Sequence, residues 1–366
     1  MAPNVAMGPT GVSGAGTGRC ACRGLPPSAD AVTVFRPGDT AMLRAIIVLL
    51  ALCAFLAVQA DDGSPGATRI ARWRDDKTAA FMLMFDDSAS SQVKFAIPEL
   101  VKRQMVGTFY VNAGSGQYKA FKDDWEKRIP AMGMELANHT YTHKGATDLA
   151  KLDEEVLLCN EAILNVISGG RPHLVSFGIP GVPKGAWTVT NEQIAQVLGK
   201  YHLIERPPVG GHFASIDLHG SDEMFKLVQK AIDSGGAQFV IFHGVGGDWL
   251  TEPLPDFIDL LDKLVAVRDK LWIAGHIAVH QYQTEREVAS VQVTQGGGKQ
   301  FKVMLSCKAD PAFFDAPLTL VTRVPASWKK CHIVQGTAAS DAVVEQGTVR
   351  YDAVPGTLPV VITGQP

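Results

Sequence analysis

The chain has 366 residues, 46% of them hydrophobic and 19% charged, more than one ordinary core accommodates, so two domains are predicted. Residues 1–60 hold four Arg and two Asp, which leaves 30 basic and 35 acidic residues beyond them. That balance excludes a surface built to hold phosphate backbones, and no nucleic-acid partner is expected.

Residues 1–41 are rich in Gly, Pro and Ala and read as a non-native or disordered extension, with Met42 as the true start. Residues 42–60 (MLRAIIVLLALCAFLAVQA) read as a signal peptide: a lone Arg44, an apolar run and a small-residue end. The apolar part, 45–58, falls short of the roughly 20 residues that cross a bilayer. No second such run follows, so no stable membrane span is expected after its removal and the protein is placed in a secreted or periplasmic setting. Three cysteines, Cys159, Cys307 and Cys331, lie beyond the signal; the last two could pair in an oxidising compartment.

From about Ala71 to Arg286, apolar runs alternate with amphipathic stretches. Strands are predicted at 79–85, 106–111, 134–138, 174–177, 239–242 and 271–274, with helices at 92–103, 153–167, 221–232 and 255–267. Asp153 and Glu154 are expected in the first turn of their helix. Strand followed by helix, repeated this often, argues for a parallel sheet or a (β/α) barrel over 61–286. Beyond 287 the texture changes to short β-branched runs at 288–294, 300–306, 318–324, 332–335 and 360–363, separated by Gly, Pro, Asp or Ser. Residues 287–366 therefore read as a small sandwich-like domain, with Trp328 in its core rather than on a sugar-stacking surface.

Three segments carry chemistry. Asp86 and Asp87 end the first apolar run, where (β/α) folds place their active groups. Neighbouring strand residues face opposite sides, so the two carboxylates would have different tasks, one on a metal and one on a substrate water. His139 and His143 are four apart, and in a helical turn both imidazoles would reach one ion. Two histidines and one carboxylate leave coordination positions for water and substrate, with Asn138 and Thr140 as candidates to orient the rings. His243 closes another apolar strand, ahead of a Gly-rich turn, and suits a general acid near neutrality.

FDD, then HTYTH, then a strand ending in His resembles the polysaccharide deacetylases, the NodB-homology domain of carbohydrate esterase family four, over roughly 77–286. GTFYVN (107–112), GDW and LWIA (271–274) are similar to the family's connecting segments. The resemblance implies a distorted (β/α)7 barrel in which Asp86 is the general base and Asp87, His139 and His143 bind Zn²⁺, with Co²⁺ or Ni²⁺ as alternatives. It further implies His243 as the acid and an acetylated polysaccharide or oligosaccharide as partner. The expected reaction is removal of N-acetyl groups; O-acetyl release from a xylan-type glycan and a non-catalytic carbohydrate-binding role are the alternatives. Pro180, Gly181 and Trp249 are candidate substrate contacts. The family's base-orienting Arg would stand at Gly178 in SFGIPGVPKG (176–185), which leaves Lys184 as a stand-in, and a fourth Asp-x-x-Asp-Trp-like motif is not recognisable.

Overall fold

The computed structural model describes residues 63–366 apart from 168, 170, 208–217 and 297–298; the expected extension 1–41 and signal peptide 42–60 lie outside the described residues. In chain order the first part runs β1 (Thr68–Ile70), β2 (Ala79–Asp86), α1 (Ile97–Lys102), β3 (Thr108–Val111), β4 (Glu135–Asn138), α2 (Leu149–Ile167) and β5 (Val175–Phe177). It continues through α3 (Asn191–Lys200), β6 (Leu203–Glu205), α4 (Ser221–Ser234), β7 (Ala237–Phe242), α5 (Leu254–Ala266), β8 (Leu271–Ile273) and α6 (His276–Val288).

Seven strands form one parallel sheet, ordered β6-β5-β4-β3-β2-β7, with β8 paired to β2. Ala80 faces Ala237 of β7 and Trp272 of β8 at once. Because a strand has only two edges, β8 must share with β3 the edge opposite β7, and it lies below β3 along β2. Every residue of β2 is buried, as expected of a central parallel strand covered on both faces. On the helix side Phe85 stacks on Phe109 (4.6 Å between centroids) and Phe242 (5.2 Å) and meets the edge of Phe257 from α5. On the other side Tyr110, Ser176 and His276 join hands: Ser176 Oγ is 2.8 Å from both the Tyr110 hydroxyl and His276 Nδ1. The expected fold class is observed, and among the described residues no ladder joins β6 to β7.

Helix α2 starts four residues ahead of its expected position, because Asp148 accepts from the N–H of Lys151 and caps it there. Asp153 and Glu154 therefore sit beyond the first turn.

The C-terminal part contains β9 (Ala289–Gly296), β10 (Gln300–Cys307), β11 (Leu318–Arg323), β12 (Lys330–Gln335), β13 (Ala338–Val343), β14 (Thr348–Ala353) and β15 (Val360–Gln365). All pair antiparallel, in sheets ordered β13-β12-β15-β10-β9 and β1-β11-β14. Strand β1, which lies ahead of the first predicted element, thus completes the smaller sheet. Alternate residues face the shared core: Phe301, Val303 and Leu305 from β10, Val349, Tyr351 and Ala353 from β14. Trp328 is buried in that core. Cys307 and Cys331 are unpaired thiols. Helix α6 joins the two parts through Tyr282, whose ring meets Trp272 (5.4 Å) and whose hydroxyl donates to the Ala71 carbonyl.

Candidate active site and metal centre

β2 delivers Asp86 at its last position, and the chain then reverses, with φ of 76° at Asp87 and 54° at Ser88. Left-handed backbone is costly for residues bearing a Cβ and persists where surrounding structure imposes it. Here Ser88 Oγ accepts from the N–H of Asn112 on the neighbouring strand end. The reversal cancels the alternation of an extended strand, so both carboxylates reach His139: Asp86 Oδ2 is 3.6 Å and Asp87 Oδ1 3.5 Å from its Nε2.

His139 and His143 do not share a helix, contrary to the expectation from their spacing. They lie in the loop after β4, where Thr140 and His143 adopt φ of 66° and 60°. That path brings the ring centroids to 5.1 Å and sets His143 Nε2 3.1 Å from Asp87 Oδ1. Asn138 and Thr140 shape this backbone rather than the rings: Asn138 Oδ1 accepts from the Thr140 N–H, and Thr140 Oγ1 from the His143 N–H. Buried Glu155 of α2 clamps the loop from outside by accepting from the Thr142 N–H and hydroxyl, each at 2.7 Å.

His243 follows β7 directly, with Nε2 3.8 Å from Asp87 Oδ2. The buried Gln92 side chain ties the two strand ends, donating to the carbonyls of Asp86 (2.5 Å) and His243 (2.8 Å). A cleft of about 220 Å³ opens above, lined by Asp87, Asn112, Ser115, His143, His243 and Trp249 among others. Trp249 is 70% exposed on its rim. Pro180 and Gly181 are not among its lining residues, so of the three candidate substrate contacts only Trp249 reaches it.

The donor set fits a cation. His139 Nδ1 lies 2.8 Å from the Gly178 carbonyl, which can only accept, so the proton is on Nδ1 and the Nε2 lone pair faces Asp87. Asp87 Oδ1 is buried, with the ring nitrogens of His143 and His139 3.1 and 3.5 Å away. One ligand atom from each of Asp87, His139 and His143 lies within 4.8 Å of the others. Two acceptors facing each other across 3.5 Å repel unless positive charge lies between them.

Burial alone would raise the pKa of Asp86, but the Arg206 guanidinium and then His139 outweigh it and hold the carboxyl below its ordinary range. Asp87 is likewise held low against its burial, by its hydrogen bond to His143 and the charge of His139. Burial lowers His139. It would lower His143 too, but the Asp87 hydrogen bond wins and raises it.

Arg206 is the largest correction to the sequence reading. Its Nη1 donates to Asp86 Oδ1 at 2.5 Å with both side chains 5% exposed, and its guanidinium lies 4.4 Å from the Tyr110 ring centroid. Lys184, the expected stand-in, is exposed. Helix α3 and the three-residue strand β6, neither of them predicted, deliver Arg206; Pro207 after LIER was the available sign of a strand end. Gln92 and Glu155 were also missed, as polar residues in amphipathic stretches that gave no sign of burial.

The polysaccharide deacetylase family model matches residues 74–211, so the resemblance drawn from the motifs is borne out. That span holds Asp86, Asp87, His139, His143 and Arg206, while His243 lies beyond it. The chain is similar to a gellan lyase of a Bacillus species, 24% identical over 326 residues, which are 78% of this chain and 12% of that protein. It therefore spans only about an eighth of that relative's length. Among solved structures it is similar to a family 4 carbohydrate esterase from Streptomyces lividans in complex with acetate, at 23% identity over 56% of this chain and 95% of that one, TM-score 0.40. The CE4 domain of a multidomain xylanase from the hindgut metagenome of Trinervitermes trinervoides gives 18% identity over 56% and 90%, TM-score 0.39. The peptidoglycan deacetylase PdaC from Bacillus subtilis gives 14% over 56% and 90%, TM-score 0.40.

Proposed function

We propose that the chain is a metal-dependent polysaccharide deacetylase that hydrolyses N-acetyl groups of an acetamido-sugar polymer and acts outside the cytoplasm. One observation carries the reaction: Asp87, His139 and His143 offer a cation three ligands, with Asp86 and His243 at the same centre. Asp87 Oδ1, His139 Nε2 and His143 Nε2 would hold a divalent ion, zinc by the nitrogen-rich donor set, which supplies Lewis acidity at the acyl carbonyl. The location rests on the apolar segment at 45–58 alone.

Arg206 occupies Asp86 Oδ1, which leaves Oδ2 to accept a proton. Asp86 takes that proton from a water as its oxygen bonds to the acetyl carbon. His243 Nε2 then donates a proton to the sugar nitrogen as the carbon–nitrogen bond breaks, giving the free amine and acetate. Trp249, exposed at the rim, offers a face to a sugar ring. The non-catalytic reading rested on a missing arginine, and Arg206 removes that ground.

The test is metal analysis of chelator-free protein together with acetate release from N-acetylated chitooligosaccharides and O-acetylated xylooligosaccharides. Acetate from the former, lost in Asp86→Asn with the metal retained, supports the proposal. Acetate only from the latter moves the bond cleaved to an ester, and acetate from neither overturns the reading.

A further inference from the structure

We infer that Arg206 and Gly178 form one positioning device for Asp86, in which a guanidinium entering from β6 occupies space left by the absent side chain at the end of β5. The inference rests on the deacetylase reading and adds the residue pair that makes its base competent.

Gly178 is not in the left-handed region, so its backbone conformation does not call for glycine; its surroundings do. A Cβ there would sit 2.9 Å from the Tyr110 ring and 3.0 Å from Arg206 Cζ, closer than side-chain carbons pack. The space is thus already filled by the guanidinium and the ring on which it lies. The register is set by the backbone, since the Arg206 N–H donates to the Phe177 carbonyl at 2.8 Å and continues the β5–β6 ladder by one residue. The Tyr110 hydroxyl is hydrogen-bonded to Ser176, which also bonds His276, and this chain sets the ring under the guanidinium.

Gly178 serves the metal side as well. Its carbonyl accepts from His139 Nδ1, and its N–H donates to the Asn138 carbonyl at 2.9 Å. One residue therefore holds a histidine ligand with its backbone while making room, through its missing side chain, for the group that orients the base. A side chain at 178 and the Arg206 guanidinium would compete for the same space.

The experiment compares acetate release from chitooligosaccharides, normalised to folded, zinc-loaded protein, for wild type, Arg206→Met, Arg206→Lys and the exchange pair Gly178→Arg with Arg206→Gly. Arg206→Met should lose roughly 100-fold in kcat, the scale of a general base placed out of reach, with KM and zinc content unchanged. Arg206→Lys restores charge without the planar fork and should recover only part of the rate. The exchange pair should exceed Arg206→Met by about tenfold or more, because the guanidinium returns to Asp86 from the other strand. Near-normal kcat in Arg206→Met overturns the inference and leaves the deacetylase reading intact, as does loss of zinc in step with activity, which would make Arg206 a support of the fold or metal. Absence of acetate release from the wild type overturns the deacetylase reading, and this inference with it.

Discussion

The carboxylate of Asp248 accepts from the backbone N–H of Ser91 at 2.6 Å, pinning the turn that carries Trp249 to the turn that follows Asp87. Ser90 donates to the same carboxylate, and the Gly244 N–H reaches the Trp249 carbonyl at 2.9 Å. The backbone that carries the exposed indole is therefore held in place by both neighbouring turns. Trp249→Ala should raise KM for chitooligosaccharides roughly fivefold with kcat preserved, the pattern of lost uniform binding, for a contact worth about 1 kcal/mol. Steady-state kinetics with substrates of increasing length check this, and a kcat loss at constant KM would contradict it.

Cation binding should stabilise the fold and depend on pH. At a free zinc concentration 100 times Kd the expected stabilisation is about 2.7 kcal/mol, read as a rise in Tm, and Asp87→Ala or His139→Ala should abolish it. In the metal-free protein the Asp87 hydrogen bond raises His143 above its ordinary pKa of 6.5. A proton on Nε2 excludes the cation, so affinity should fall by about tenfold per pH unit as pH drops below that raised value and level off above it. Calorimetric titrations at pH 8 and pH 6 measure the difference.

Glu285 of α6 is fully buried, with Oε1 accepting from the Ala316 N–H and Oε2 without a partner. Burial raises its pKa from 4.5 to about 7. The folded state therefore binds its proton more tightly than the unfolded chain. Its contribution to stability is present below the unfolded value and is lost as pH rises through the folded one. Glu285→Gln should match the wild type near pH 4 and exceed it at pH 8 by on the order of 1–3 kcal/mol. Urea melts at the two pH values test this, and equal stabilisation at both would refute it.

In the sandwich, a Cβ on Gly364 would fall 1.9 Å from the Trp328 ring, so β15 passes the indole with no room for a side chain. Gly364→Ala should destabilise the fold through overpacking by about 1–3 kcal/mol. Trp328→Ala leaves a cavity and should cost about 3–5 kcal/mol. Thermal unfolding of both variants is the measurement, and a Trp328→Ala Tm unchanged from wild type would contradict the packing argument.

Much of this was legible in the chain. The unbroken apolar run before Asp86 announced a buried parallel strand, and the order FDD, HTYTH, strand-end His gave the family and the candidate ligands, because liganding chemistry restricts residue type wherever it occurs. The change to short β-branched runs marked the sandwich and the burial of Trp328. Strands β1, β6, β13 and β14 and helices α3 and α6 were missed: β1 and β6 have only three residues, β13 is an exposed edge, β14 and α3 each bury only three residues, and α6 turns His276 and Glu285 as well as apolar residues inward.

Tertiary structure decided what spacing could not. His139 and His143 meet through left-handed turns at Thr140 and His143, not through a helical repeat, and the reversal at Asp87 turns two residues of one strand toward a single centre. The arginine that sequence order placed at Gly178 arrives at Arg206, since a parallel sheet makes neighbours of residues far apart in the chain. A local motif fixes which side chains are available, whereas ladder register and backbone reversals fix which of them share space, and only the folded chain contains that information.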